Sequence, residues 1–234
     1  MGLINKRNLL EDICFWQHYA KTDGSLDWYK SLFSKAASNG KITGDITPAY
    51  STLTEASIKR LRSLNPNLKL IFILRNPIDR SYSQAARNLN ADKALVAKKG
   101  TSVSQNLNQQ IIDFLHSEDC LSRSDYLGTL ARYEKFFSPE DIFIDFFDEI
   151  KANPHKLLTN ICDFIGVKPV SQDHVMKESP NPRSHLLGKI HPEILDSLIE
   201  LHSDNLEKMS SRFGSYATEW HQQLLDYRSK KAIN

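Results

Sequence analysis

The stretch KLIFILRNPIDRSYSQ, residues 69–84, restricts the possible folds more than any other part of the chain. Five consecutive apolar residues, Leu70 to Leu74, leave no polar face. Leu68–Leu74 therefore reads as a strand covered on both sides in a parallel sheet. The run ends on Arg75. Asn76 can then cap a helix, and Pro77 suits its first position, so a helix is expected to about Leu89. A second apolar run, DIFIDFFDEI at 141–150, predicts another buried strand. Strands alternating with helical stretches point to an α/β fold.

The rest of the chain supplies the helices. Apolar residues at Leu26, Trp28, Tyr29, Leu32, Phe33 and Ala36 recur at helical spacing, and Asn39-Gly40 stops the pattern. KITGDITPAYS follows as a short extended piece broken at Pro48. Residues 54–64 read as a helix with Thr54 as N-cap, and Asn65-Pro66-Asn67 as a turn. Helices are expected at 103–116 and 125–137, with a turn at Pro139-Glu140. Pro154 opens another, with Leu157, Leu158, Ile161, Cys162 and Ile165 on one face and Gly166 at its end. Ile190 to Phe213 carries the stripe Ile194, Leu198, Leu201, Leu206, Met209 and Phe213. Ile13–Trp16 gives a weak strand signal, and 90–102 and 171–189 read as loops. Trp28 and Trp220 read as packing residues.

A chain of 234 residues can bury one good core or two small ones. Its 40% apolar and 25% charged residues are ordinary for a soluble protein. A net charge of +2 gives no support for nucleic-acid or membrane binding. Cys14, Cys120 and Cys162 form no CxxC pair and read as buried free thiols, and no metal-ligand cluster stands out. The N-terminus has no signal-peptide apolar region, so a cytoplasmic setting is the default.

Ligands in open α/β sheets sit beyond the carboxyl ends of the strands, which is where Arg75 would lie. The next helix would point its first amides at the same place, and a guanidinium fork matches phosphate oxygens. Ser83, eight positions on, could add a hydroxyl. The plainer alternative is that Arg75 reaches solvent or pairs with Asp79 or Asp148.

LRNPIDRSYSQ resembles the 3′-phosphate-binding segment of sulfotransferases that use 3′-phosphoadenosine 5′-phosphosulfate (PAPS), with Arg75 and Ser83 at the two ligand positions. Arg80, the second arginine of that motif, is less clearly a ligand. GSLDWYKSLF followed by ITGDITPAYS is similar to segments of bacterial and glycan-type members. So are the run from Ser122 to Val167, and NPRSH before the helix ending in DNLEKMSSRFG. The resemblance covers roughly residues 10–220. It implies a P-loop-kinase-like parallel sheet flanked by helices, expected here to lack its first strand, in a single domain over residues 1–234. The family's Lys-x-Gly-Thr-Thr/Ser loop for the 5′-phosphosulfate does not occur before residue 40, so the chain is expected to begin downstream of it. NGKIT has no earlier P-loop glycine. Lys98-x-Gly100-Thr101-Ser102 has the right letters but follows the 3′-phosphate segment and reads as a loop.

The resemblance further implies sulfuryl transfer from PAPS to a hydroxyl or amine of a glycan or small-molecule acceptor, with adenosine 3′,5′-bisphosphate (PAP) as product. Such chemistry needs an in-line acceptor, a base for its proton and cations on the leaving phosphate. Aligning EDICFW on the family's base segment places Asp12 on the base; Glu11 and His18 are the other candidates. Arg183 would supply a second 3′-phosphate contact. Phe147 stands where many members have a tyrosine near the adenine. Thr47, Pro48 and Tyr50 line the acceptor cleft or form a structural turn. The competing readings are a non-catalytic relative that binds PAP or a protein partner, and a kinase, for which the Walker loop and magnesium carboxylates are missing.

Overall fold

The computed structural model describes residue 16 and residues 23–89, 105–169 and 190–233. In chain order its elements are α1 (Asp23–Ser38), a 3-10 turn (Pro48–Thr52), α2 (Glu55–Leu64), β1 (Leu70–Leu74), α3 (Pro77–Asn88), α4 (Gln105–Leu115), α5 (Glu118–Ser124) and α6 (Tyr126–Tyr133). They continue with a 3-10 turn (Pro139–Asp141), β2 (Ile142–Phe146), α7 (Glu149–Ala152), α8 (Pro154–Ile165), α9 (Pro192–Phe213) and α10 (Ser215–Ile233). Two compact units result: Met1–Leu68 with Gly128–Ser138, and Lys69–Leu127 with Pro139–Asn234.

In the first unit, α1 ends where Gly40 takes a left-handed φ of 67°, a conformation that costs glycine nothing. The Thr54 hydroxyl accepts the Ser57 amide at the start of α2, as its cap position predicts. The segment between the helices is fastened by side chains. Asp45 accepts hydroxyls from Tyr29 (2.8 Å), Tyr50 (2.6 Å) and Thr47 (2.8 Å). Thr129 and Arg132 donate to the carbonyl of Ser51, and the Tyr133 hydroxyl donates to that of Tyr50. These bonds account for Thr47 and Tyr50 as turn-formers. Trp28, expected to pack, is 50% exposed. Trp16 is buried, edge-on to Tyr29, and helical where a strand was expected.

The second unit carries the sheet. β1 and β2 pair in parallel, from Leu70 opposite Ile142 to Leu74 opposite Phe146. The Phe147 amide adds one further bond, 2.7 Å, to the Leu74 carbonyl. The α/β class expected from the sequence is met, with most of the mass in helices. The two apolar runs are less enclosed than expected. Ile71 is 43% exposed, and only Leu74 in β1 and Phe146 in β2 are buried. The described sheet has two strands, so among the described residues neither strand has neighbours on both edges. β2 stops at Phe146, short of the expected Ile150, because Glu149 already begins a helical turn.

Helices α3, α4, α9 and α10 supply the core against the sheet's carboxyl ends. Ile78, Leu115, Leu198, Leu206 and Met209 are buried around Leu74 and Phe146. Phe146 meets Trp220 edge-on at 5.4 Å, so the packing role expected of Trp220 holds. Each such side chain stabilises the fold by roughly 1.5–3 kcal/mol relative to exposure. Cys120 and Cys162 are buried free thiols, as expected, while Cys14 lies outside the described residues.

Candidate functional site

The site is built where β1 passes into α3. Asn76 is buried, and its Oδ1 accepts the amide of Ile78 at 3.0 Å, which fixes the start of α3. Pro77 occupies the first helical position and has no N–H. Two of the amides that a helix N-terminus could offer an anion are therefore spent or missing. The anion-binding capacity expected there falls mainly on side chains.

Arg75 is the side chain so placed. The parallel register sets Leu74 beside Phe146, which brings the residues that follow them together. The Arg75 guanidinium carbon lies 5.3 Å from the centre of the Phe147 ring, within range of a cation–π contact. Among the described residues Arg75 pairs with no carboxylate, and its buried Nη2 has no hydrogen-bond partner. A buried donor left unpaired costs about 1–3 kcal/mol, so this nitrogen is open to a further acceptor. Ser83, half-buried on α3, lies seven residues beyond Asn76 and hence on the same face of the helix, two turns along.

Arg80 is differently placed. Its Nε donates to Ser124 Oγ at 2.7 Å, and its Nη2 to Gln84 Oε1 at 2.8 Å and to the Cys120 carbonyl at 3.0 Å. Burial pulls its pKa down. Arg80 thus serves the packing of α3 on α5. Burial pushes the Cys120 thiol up, against the opposing charge of Arg80, which favours its protonated form.

The structure brings together Arg75 and Phe147, with Ser83 further along α3. Asp12, Glu11, His18 and Arg183 lie outside the described residues. Sequence reasoning missed the polar cluster behind α3. Ser81 Oγ lies 2.8 Å from Ser124 Oγ and 2.9 Å from His202 Nε2. No local signal marks it, because its members come from three helices. It also missed Tyr126, whose phenol is raised by burial against the opposing charges of Arg80 and Arg75. A groove of about 330 Å³ lies elsewhere in this unit, with Ser124, Asp125, His202, Asp204 and Lys208 on its wall and none of the strand-end residues. Among the described residues no helix is long and apolar enough to cross a membrane.

Comparison with known proteins bears on the family and the fold. The chain is 24% identical over 204 residues to the human heparan sulfate glucosamine 3-O-sulfotransferase 6, covering 80% of this chain and 58% of that protein. It is 27% identical over 184 residues to the Caenorhabditis briggsae bifunctional heparan sulfate N-deacetylase/N-sulfotransferase 1, covering 75% of this chain and 20% of that one. The chain thus spans less than two thirds of each of these relatives. A crystal structure of a sulfotransferase from Alicyclobacillus acidocaldarius shares the fold, with a TM-score of 0.58 at 20% identity over 86% of this chain and 74% of that one. The sulfotransferase-domain family model matches residues 26–183, more than half of the sequence. On that match, the chain belongs to the sulfotransferase-domain family.

Proposed function

We propose that this chain transfers a sulfuryl group from PAPS to a hydroxyl or amine of a glycan acceptor, releasing PAP. The observation that carries the reading is Arg75, with its buried, unpaired Nη2 at the carboxyl end of β1. A phosphate oxygen is the acceptor that this donor lacks. Family membership supports the donor class, and the heparan sulfate sulfotransferase names of the relatives support a glycan acceptor. The family match runs through segments of both units, which supports one functional domain.

In this reading Arg75 and Ser83 hold the 3′-phosphate, Arg183 adds a second cation, and Phe147 packs beneath the guanidinium. The acceptor oxygen or nitrogen attacks sulfur in line as the bond from sulfur to the 5′-phosphate oxygen breaks. The acceptor's proton passes to a carboxylate or imidazole, with Asp12 first and Glu11 and His18 as alternates. Positioning and charge do most of this work, as in phosphoryl transfer.

Calorimetry with PAP tests the binding half, and transfer of radiolabelled sulfate from PAPS to heparan-type oligosaccharides tests the chemistry. Saturable binding and turnover are expected. Binding without turnover would favour a non-catalytic relative, and magnesium-dependent ATP consumption a kinase.

A further inference from the structure

The cluster behind α3 has no part in the chemistry above, yet it is built with care for polar satisfaction. Ser81 is fully buried and its hydroxyl meets two partners, Ser124 Oγ on α5 and His202 Nε2 on α9. His202 is 3% exposed. Arg80 reaches the same Ser124 hydroxyl, and the Asn205 side-chain amide holds the Ser124 carbonyl at 3.0 Å. Three helices are thus joined by directional bonds around one serine pair.

Apolar packing says which face of a helix is buried but resists small rotations weakly. Hydrogen bonds of fixed length and direction resist them strongly. Ser81 and Ser83 are two residues apart, so they project about 200° from one another around α3. A rotation of about 15° would move a side-chain tip roughly 5–6 Å from the axis by about 1.5 Å. A shift of that size in a ligand group is enough to weaken a phosphate contact severely.

Resting on the sulfotransferase reading, we propose that Ser81 and His202 are positioning residues. Their bond locks the axial rotation of α3 and so aims Ser83, and the strand–helix turn bearing Arg75, at the 3′-phosphate. Neither touches the nucleotide.

The test compares PAP affinity by calorimetry, with melting temperature measured alongside, in six proteins: wild type, Ser81→Ala, His202→Met, the double variant of these two, His202→Gln and Leu224→Ala. Ser81→Ala and His202→Met each remove the bond and are expected to weaken PAP binding about tenfold, the worth of one such bond. The double variant should lose no more than either single one. His202→Gln keeps a polar atom near the Nε2 position and should restore most of the affinity. Leu224, buried on α10, is the control: its alanine variant should melt lower yet bind PAP like the wild type. Wild-type affinity in both Ser81→Ala and His202→Met would overturn the inference, as would affinity that simply follows melting temperature across the series. If the wild-type protein itself fails to bind PAP, the sulfotransferase reading falls and this inference with it.

Discussion

Arg75 and Arg80 sit five residues apart in one motif, at opposite extremes of satisfaction. At the inner face of α3, Arg80 spends its donors on Ser124, Gln84 and the Cys120 carbonyl. At the end of β1, Arg75 rests on the Phe147 ring with a buried Nη2 that nothing among the described residues accepts. The first arrangement is what folding alone would select. The second is a cost of about 1–3 kcal/mol that an added acceptor would relieve. Of these two arginines, the one proposed as the ligand is the one that the fold leaves incomplete.

The comparison breaks most readily at Arg75. Arg75→Ala should reduce PAP affinity by about 100-fold or more, in line with 2–5 kcal/mol for a buried charge pair. Its denaturant stability should stay within about 1 kcal/mol of wild type, since an unpaired donor is being removed. Unchanged affinity would sink the site. Arg80→Ala should do the reverse, lowering stability by about 2–4 kcal/mol through the broken network. Arg80→Lys should not rescue it, because one ammonium cannot reproduce a planar fork with three partners. Urea unfolding of the two variants separates these outcomes.

His202 sharpens the contrast through pH. Burial, with some repulsion from Arg80, lowers its pKa from 6.5 to about 4. Above 6.5 the imidazole is neutral in both folded and unfolded chains and adds no pH dependence. Between 6.5 and 4 the unfolded chain takes up a proton that the folded chain refuses, so stability falls as pH falls. The loss between pH 7.5 and pH 5 should be about 2 kcal/mol, and His202→Gln should abolish that share of it. Equal slopes in denaturation curves for the two proteins would contradict the neutral, buried assignment. The smallest effect is expected at Phe147. Phe147→Leu keeps the apolar support but loses the ring face, and should weaken PAP binding only about three- to fivefold. A loss as large as that of Arg75→Ala would give Phe147 a direct ligand role.

Much of this was legible in the sequence where the physics is local. Asn76-Pro77 announced the start of α3, Thr54 that of α2, and Gly166, with its left-handed φ of 73°, the end of α8. Arg75 and Phe147 were both singled out, and parallel pairing of the two apolar runs explains why residues so far apart in sequence meet. What was not legible depends on partners distant in the chain. Ser81, Ser124 and His202 are unremarkable singly, and their contact exists only after three helices pack. Ile71 looked like core because a continuous apolar run does not say how many neighbours a strand has. Helix α10 was missed although Ala217, Trp220 and Leu224 recur at helical spacing, since polar residues crowd the stripe. The candidate base residues have only the sequence to support them.

The cage of hydroxyls around Asp45 has an optical consequence. Burial, and then the adjoining carboxylate, drive the phenols of Tyr29 and Tyr50 well above the ordinary tyrosine range. Tyr29 and Tyr50, like the buried Tyr126 and Tyr133, should therefore stay dark when phenolate absorbance is followed into alkali. Their ultraviolet signal should emerge only when the polypeptide lets go of that carboxylate, which makes them a built-in reporter of how long the smaller unit survives.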